Sequence, residues 1–167
     1  MLTTSHLAAT TGLLIGANYV GIDLNTTTIS LTYLLGVAID IDHATIKHKK
    51  SIGRLKEYKN NPKSFVQGKE NLHTLLQEPI AVMLAFMISL IIFFFYKNVS
   101  IFLPAIALLV HVLMDSILNF ENQLLWPLSK KGFRGPLKQS VKIEAVIGTI
   151  LSIILIIILL NQLRIIR

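Results

Sequence analysis

Not one cysteine occurs among the 167 residues. Disulfides, iron–sulfur clusters and thiolate zinc sites are thereby excluded, and any bound metal must be held by imidazole and carboxylate. Charge is also scarce. Only 15% of residues are charged, and the nine acids are outnumbered by sixteen lysines and arginines, for a net charge of +7. No internal repeat and no low-complexity linker divides the chain, so residues 1–167 read as a single domain. With so few acids, the position of each one carries information.

Apolar sequence fills the space. Hydrophobic residues make up 53% of the chain and mean hydropathy is +0.63, well on the apolar side of a soluble domain. A stretch of about 20 apolar residues crosses a bilayer as a helix. Residues 141–163 are almost unbroken Ile and Leu after Glu144. Residues 79–96 and 99–118 are separated only by Lys97 and Asn98, which predicts a tight helical hairpin. Residues 2–20 are more polar but uncharged, without the basic start of a signal peptide. Ala8, Gly12 and Gly16 recur there every fourth residue, a spacing that lets membrane helices approach closely. Residues 27–41 are short and end in acids, as a protein-buried or partly re-entrant helix would. The expected fold is all-α, a multipass bundle of about five spans.

Basic residues orient such a bundle. Lys47, Lys49, Lys50, Arg54, Lys56, Lys59, Lys63 and Lys69 lie in the 44–72 connection, and Lys130, Lys131, Arg134 and Lys138 lie in 119–140. The alternate connections hold almost none, while Arg164 and Arg167 at the far end are outnumbered. The positive-inside rule then puts both basic loops and the amino terminus in the cytoplasm. The implied location is a cell membrane, with both basic loops on its cytoplasmic side.

Acids and histidines concentrate at one end of these segments. Asp40, Asp42 and His43 close the second, His73 and Glu78 open the third, and His111 and Asp115 lie near the end of the fourth. His6 opens the first. In the five-span topology all of them meet the cytoplasmic face, from four helices. Ionisable groups at membrane depth are costly and mark function or pairing. His111 and Asp115 stand four apart and share a helix face, while Asp40-Ile41-Asp42-His43 can aim three donors from one helix end. The alternative for each is structural: a hydrogen-bonded pair joining helices, a solvated helix end, or an interfacial histidine. His48, among lysines, is unsuited to a cation, and Asp23 falls on the opposite side.

These motifs resemble the YdjM-like, LexA-binding, inner-membrane-associated hydrolase family. The likeness is carried by Asp40-Ile41-Asp42-His43 after a small-residue helix, by His73-Thr74, and by His111 to Asp115 followed by Leu125-Trp126-Pro127-Leu128. It runs from about His6 to Pro136. It implicates His6, Asp40, Asp42, His43, His73, His111 and Asp115 as metal ligands. Two features depart from the family pattern: Ile39 replaces the usual proline, and no His-Arg pair precedes His73.

Mixed histidine and carboxylate donors suit zinc, and also manganese or iron, as one or two ions. Glu78 is placed as general base or as an orienting group. A site at the cytoplasmic interface beside basic loops predicts membrane lipids as partners and an anionic lipid or other amphiphile as substrate. The bland reading of those loops is topological. The run Ile52 to Tyr58 reads either as a surface lid or as a connector, and Trp126 and Phe133 as an interfacial belt. Nucleic acid ranks low, since no stacking array accompanies the basic residues. The expectation is a membrane metal-dependent hydrolase acting on an amphiphilic ester or phosphoester. The competing reading is a non-catalytic scaffold or a metal-binding or transport protein. Transport fits poorly with the outer halves of the third to fifth segments, which are nearly all apolar, with only Ser89, Ser100 and Ser152 as small hydroxyls.

Overall fold

The computed structural model describes residues 3–40, 79–117, 121–122, 133–134, 136 and 141–165. Five helices dominate them: α1 (Thr3–Tyr19), α2 (Thr26–Gly36), α3 (Pro79–Tyr96), α4 (Leu103–Ile117) and α5 (Val141–Ile165). Short 3₁₀ turns follow α2 (Ala38–Asp40) and precede α4 (Val99–Phe102). A two-residue antiparallel pairing of Glu121–Asn122 with Phe133–Arg134 is the one β pairing among the described residues. The protein is all-α.

Local chemistry sets most helix ends. Asn25 caps α2, its side chain accepting from the Thr28 amide at 2.8 Å. Pro79 occupies the first position of α3, where no amide partner is needed. The predicted hairpin between α3 and α4 is present. Lys97 turns with φ 53° and its amide donates to the Phe93 carbonyl at 2.8 Å. The Asn98 side chain then accepts from the Ser100 amide at 2.9 Å. The Lys97 ammonium lies over the Phe93 and Phe94 rings, 5.8 and 5.2 Å from their centroids, which offsets part of the strain of that turn.

The helix expected over 27–41 is shorter than the apolar run suggested. It stops at Gly36, because Val37 leaves the helical region at φ −131° while its amide still bonds the Tyr33 carbonyl. Among the described residues, three segments are long and apolar enough to cross a membrane: Pro79–Tyr96, Val99–Ile117 and Ile143–Leu163. Helix α3 is about 27 Å long at 1.5 Å per residue, close to the hydrocarbon thickness. Its exposed residues include Met83, Met87, Ile91 and Phe95, and those of α5 include Ile147, Ile150, Ile154 and Ile157. Apolar side chains all round a helix belong in lipid or in a core, and here lipid is the surroundings that fits.

Helix α4 is central, packing against α1, α2 and α3, whereas α5 docks chiefly on α1. One apolar cluster (Ile39, Ala81, Val82, Leu108, Val112) joins the 3₁₀ turn after α2 to α3 and α4. A second (Leu14, Ala17, Leu103, Leu159) joins α1, α4 and α5 at the opposite end. Between them runs a hydroxyl seam, in which Thr11 Oγ1 lies 3.0 Å from the Tyr33 hydroxyl and Thr32 donates to the Thr28 carbonyl at 2.6 Å.

Close helix approach occurs at glycines other than those expected. Gly16 is exposed, with nothing within 4 Å of the place a Cβ would take, and Gly12 meets only Leu155 at 4.0 Å. Gly36 and Gly148 are the tight points. A Cβ on Gly36 would run into the Thr10 hydroxyl and lie 3.1 Å from the Ala107 Cβ. One on Gly148 would lie 2.8 Å from Thr4 Oγ1 and 3.2 Å from the Ser5 amide nitrogen.

Candidate metal centre

The starts of α1, α3 and α5 and the ends of α2 and α4 share one end of the bundle. Contacts between distant residues establish this: His6 of α1 meets Asp115 of α4, Ser5 of α1 meets Glu144 of α5, and His111 of α4 meets Gly36 of α2. At the other end Asn18 donates to Gln162 at 3.3 Å, so α1 and α5 run parallel. The up-and-down order of the five predicted segments is thereby met.

Three donors converge at that end. His6 Nε2 lies 3.1 Å from Asp115 Oδ1, and His111 Nε2 lies 3.4 Å from Asp115 Oδ2. The two imidazoles stack with centroids 3.8 Å apart and planes 14° from parallel. Both histidines are about 1% exposed, whereas the Asp115 side chain keeps 21% of its surface accessible. One donor atom from each residue fits within 4.8 Å of the others. The carboxylate therefore bridges two buried rings and still opens outward.

A backbone group sets the chemistry of His111. Its Nδ1 lies 3.0 Å from the Gly36 carbonyl oxygen, which can only accept, so Nδ1 carries a proton and donates. The last carbonyls of a helix have no intrahelical partner, and α2 ends at Gly36. The ring thus satisfies an orphan acceptor, and its Nε2 is left facing a carboxylate. In a neutral ring that nitrogen bears a lone pair, which repels an anionic oxygen. Positive charge between them, a second proton or a cation, relieves that repulsion.

The near-parallel rings meet different oxygens of Asp115. Bonds of about 2.0–2.1 Å in a tetrahedral zinc site place neighbouring donor atoms roughly 3.3 Å apart. The two nitrogen–oxygen separations, 3.1 Å to Oδ1 and 3.4 Å to Oδ2, are of that order and are hydrogen-bond distances as well.

Of the sequence-predicted ligands, the fold brings His6, His111 and Asp115 together. Asp40 ends the 3₁₀ turn that follows α2. Asp42, His43, His73 and Glu78 lie outside the described residues, as do the 44–72 connection and Trp126. Asp23 stands in the α1–α2 connection at the opposite end, where the topology put it.

Two participants were not anticipated. The Gly36 carbonyl carries no side-chain signal at all, although a glycine near the end of an apolar run is a fair mark of a helix terminus. Glu144 accepts from the Ser5 hydroxyl at 2.9 Å, one residue before His6. Its signal was a lone acid in the first turn of an otherwise apolar span. Ser152 also changes place. Its hydroxyl donates to the Thr4 carbonyl at 2.8 Å, so it belongs to the metal-centre half of the bundle rather than the outer half.

The family model for the YdjM inner membrane protein matches residues 1–166, and the chain belongs to that family. It is a membrane protein accordingly. No curated protein and no solved structure matches it.

Proposed function

We propose that this member of the YdjM inner membrane protein family is a membrane metal-dependent hydrolase. Its site would lie at the cytoplasmic interface, acting on a lipid or other amphiphilic ester or phosphoester. The observation that carries the metal is the fixed tautomer of His111: a backbone carbonyl takes Nδ1–H, and Nε2 is presented to Asp115 and beside His6. A histidine oriented through its other nitrogen is the usual companion of a ligated metal.

His6, His111 and Asp115 would hold the ion, zinc in the first instance, with manganese or iron as alternatives. Asp40, Asp42, His43 and His73 are proposed to complete the donor set, with room for a second ion, and Glu78 to accept or orient a proton. When bound, a divalent ion supplies Lewis acidity and lowers the pKa of a coordinated water toward 7. Asp115, partly accessible, faces the direction from which substrate would arrive. His6 and His111, packed ring on ring, are held away from bulk water.

An amphiphilic substrate fits the surroundings. Beside the inner apolar cluster, α3 and the turn before α4 enclose an apolar groove lined by Val82, Met83, Phe86, Met87, Leu90 and Phe102. Val82 also packs in the cluster that contains Val112, the residue after His111. The basic residues of 44–72 and 119–140 would draw anionic headgroups to the same side, each worth about 1 kcal/mol near a charged surface.

Metal content by mass spectrometry on detergent-purified protein, prepared without chelator, tests the reading. Wild type is expected to hold about one or two ions per chain, lost in His111→Ala and Asp115→Asn and reduced in Asp40→Asn. A metal-free wild type would overturn the metal centre and the hydrolase with it. The second reading, a hydrogen-bonded scaffold, is favoured by the same 3.1 Å contact, which is also a good hydrogen bond from His6 Nε2–H to Asp115. It predicts that Asp115→Asn keeps the fold and every function, because an amide oxygen still accepts.

A further inference from the structure

Helix α5 contributes no donor to the metal centre, yet it grips the turn that carries one. Three of its residues, spaced four apart on one face, address Thr4 and Ser5 of α1. Glu144 accepts from the Ser5 hydroxyl at 2.9 Å. Gly148 presents bare backbone so closely that a single added carbon would sit 2.8 Å from Thr4 Oγ1 and 3.2 Å from both the Ser5 amide nitrogen and its hydroxyl. Ser152 donates to the Thr4 carbonyl at 2.8 Å while also reaching the Gly148 carbonyl at 2.6 Å.

Each contact has a different physical origin. The first is a charge-assisted hydrogen bond, the second a steric fit, and the third a hydroxyl bond to a backbone carbonyl of the first helical turn. All three fall on the two residues immediately before His6. Successive residues of a helix point about 100° apart, so a turn fixed on α5 through Thr4 and Ser5 directs His6 to another side. That side is occupied by His111 and Asp115. A few tenths of an ångström of displacement at Thr4 moves the His6 ring bodily, because its backbone belongs to the same turn.

We infer that Glu144, Gly148 and Ser152 of α5 are positioning residues that fix His6 for metal binding. The inference rests on the metal reading for its function, though not for its geometry. It assigns a role to an element whose composition otherwise marks it only as a membrane anchor. It also assigns one to Glu144, the sole acid of α5.

The test uses full-length protein in detergent with Co²⁺ as the probe. Four forms are compared: wild type, Gly148→Ala, Thr4→Ala, and the double variant. Visible absorption reports the ligand field, and titration gives affinity. Side-chain ¹⁵N NMR of the metal-free protein follows the His6 ring, assigned with His6→Gln. Gly148→Ala is expected to weaken Co²⁺ binding about tenfold, as loss of an orienting contact does, and to alter the absorption band. The His6 nitrogen signals should move in the metal-free protein too. Thr4→Ala removes the atom 2.8 Å from the new carbon, so the double variant should recover affinity to within about twofold of wild type. A merely structural role would lower thermal stability without touching band or signal.

Unchanged band, affinity and His6 signals in Gly148→Ala would overturn the inference. If wild type takes up no Co²⁺ while the His6 signals still shift and are rescued, the positioning of His6 stands and the metal reading falls.

Discussion

At the scale of single residues, the centre depends on an atom that no substitution can delete. The Gly36 carbonyl holds His111 by its Nδ1–H, and it can approach only because Gly36 has no side chain. A methyl there would collide with the Thr10 hydroxyl and press on Ala107. Overpacking of this kind costs about 1–3 kcal/mol. Gly36→Ala should therefore lower the thermal midpoint in detergent by several degrees and also weaken metal binding. Thr10→Ser, which keeps the hydroxyl and sheds a methyl group, should relieve it only in part. Differential scanning fluorimetry with metal titration on the same samples reads both effects. His6 illustrates why part of the centre was hard to read. Asp115 announces itself by standing four residues from His111 on one face, whereas both donors that His6 meets lie more than 100 positions away. Local spacing holds no trace of such a pair, which was suggested by the alternation of the spans and by the family resemblance.

At the scale of elements, boundaries were legible where chemistry punctuates them. Pro79 opens α3 and Lys97-Asn98 closes it, and both ends fall where the sequence placed them. The end of α2 was overrun because Val37, Ala38 and Ile39 continue the apolar run past Gly36, and hydropathy cannot distinguish an α-turn from a 3₁₀ turn. The small-residue spacing of α1 misled for a related reason: it marks faces that can be approached without saying which partner arrives. Packing put α5 on the face bearing Thr4 and Ser5 and left Gly16 open. The hydroxyl seam is equally silent in sequence. Tyr33→Phe would remove the bond between α1 and α2 at Thr11. Interhelical hydrogen bonds in membrane proteins average about 0.6 kcal/mol. A loss of that order is expected in reversible unfolding, with metal content unchanged, since the seam lies below the centre.

At the scale of the whole molecule, the fold is a bundle whose donor-bearing ends all face one way. Its apolar flanks on α3 and α5 suit lipid, as does its membership of an inner membrane protein family. With no native thiol, introduced cysteines report orientation without background. Asp23→Cys, in the exposed α1–α2 connection, should react with a membrane-impermeant maleimide in spheroplasts. Ser51→Cys, in the basic connection, should react only after lysis. The reverse pattern would put the metal centre on the outer face.

The parallel pairing of α1 with α5 has a consequence in time. A ribosome delivers α1 first and α5 last, so the histidine made earliest waits for the helix made latest. Until that helix enters the bilayer, nothing grips Thr4 and Ser5, and His6 has only half of its seat. A nascent chain therefore passes through insertion with its centre unfinished. The seat of His6 is complete only when the last helix docks, and a chain interrupted before that point leaves it half built.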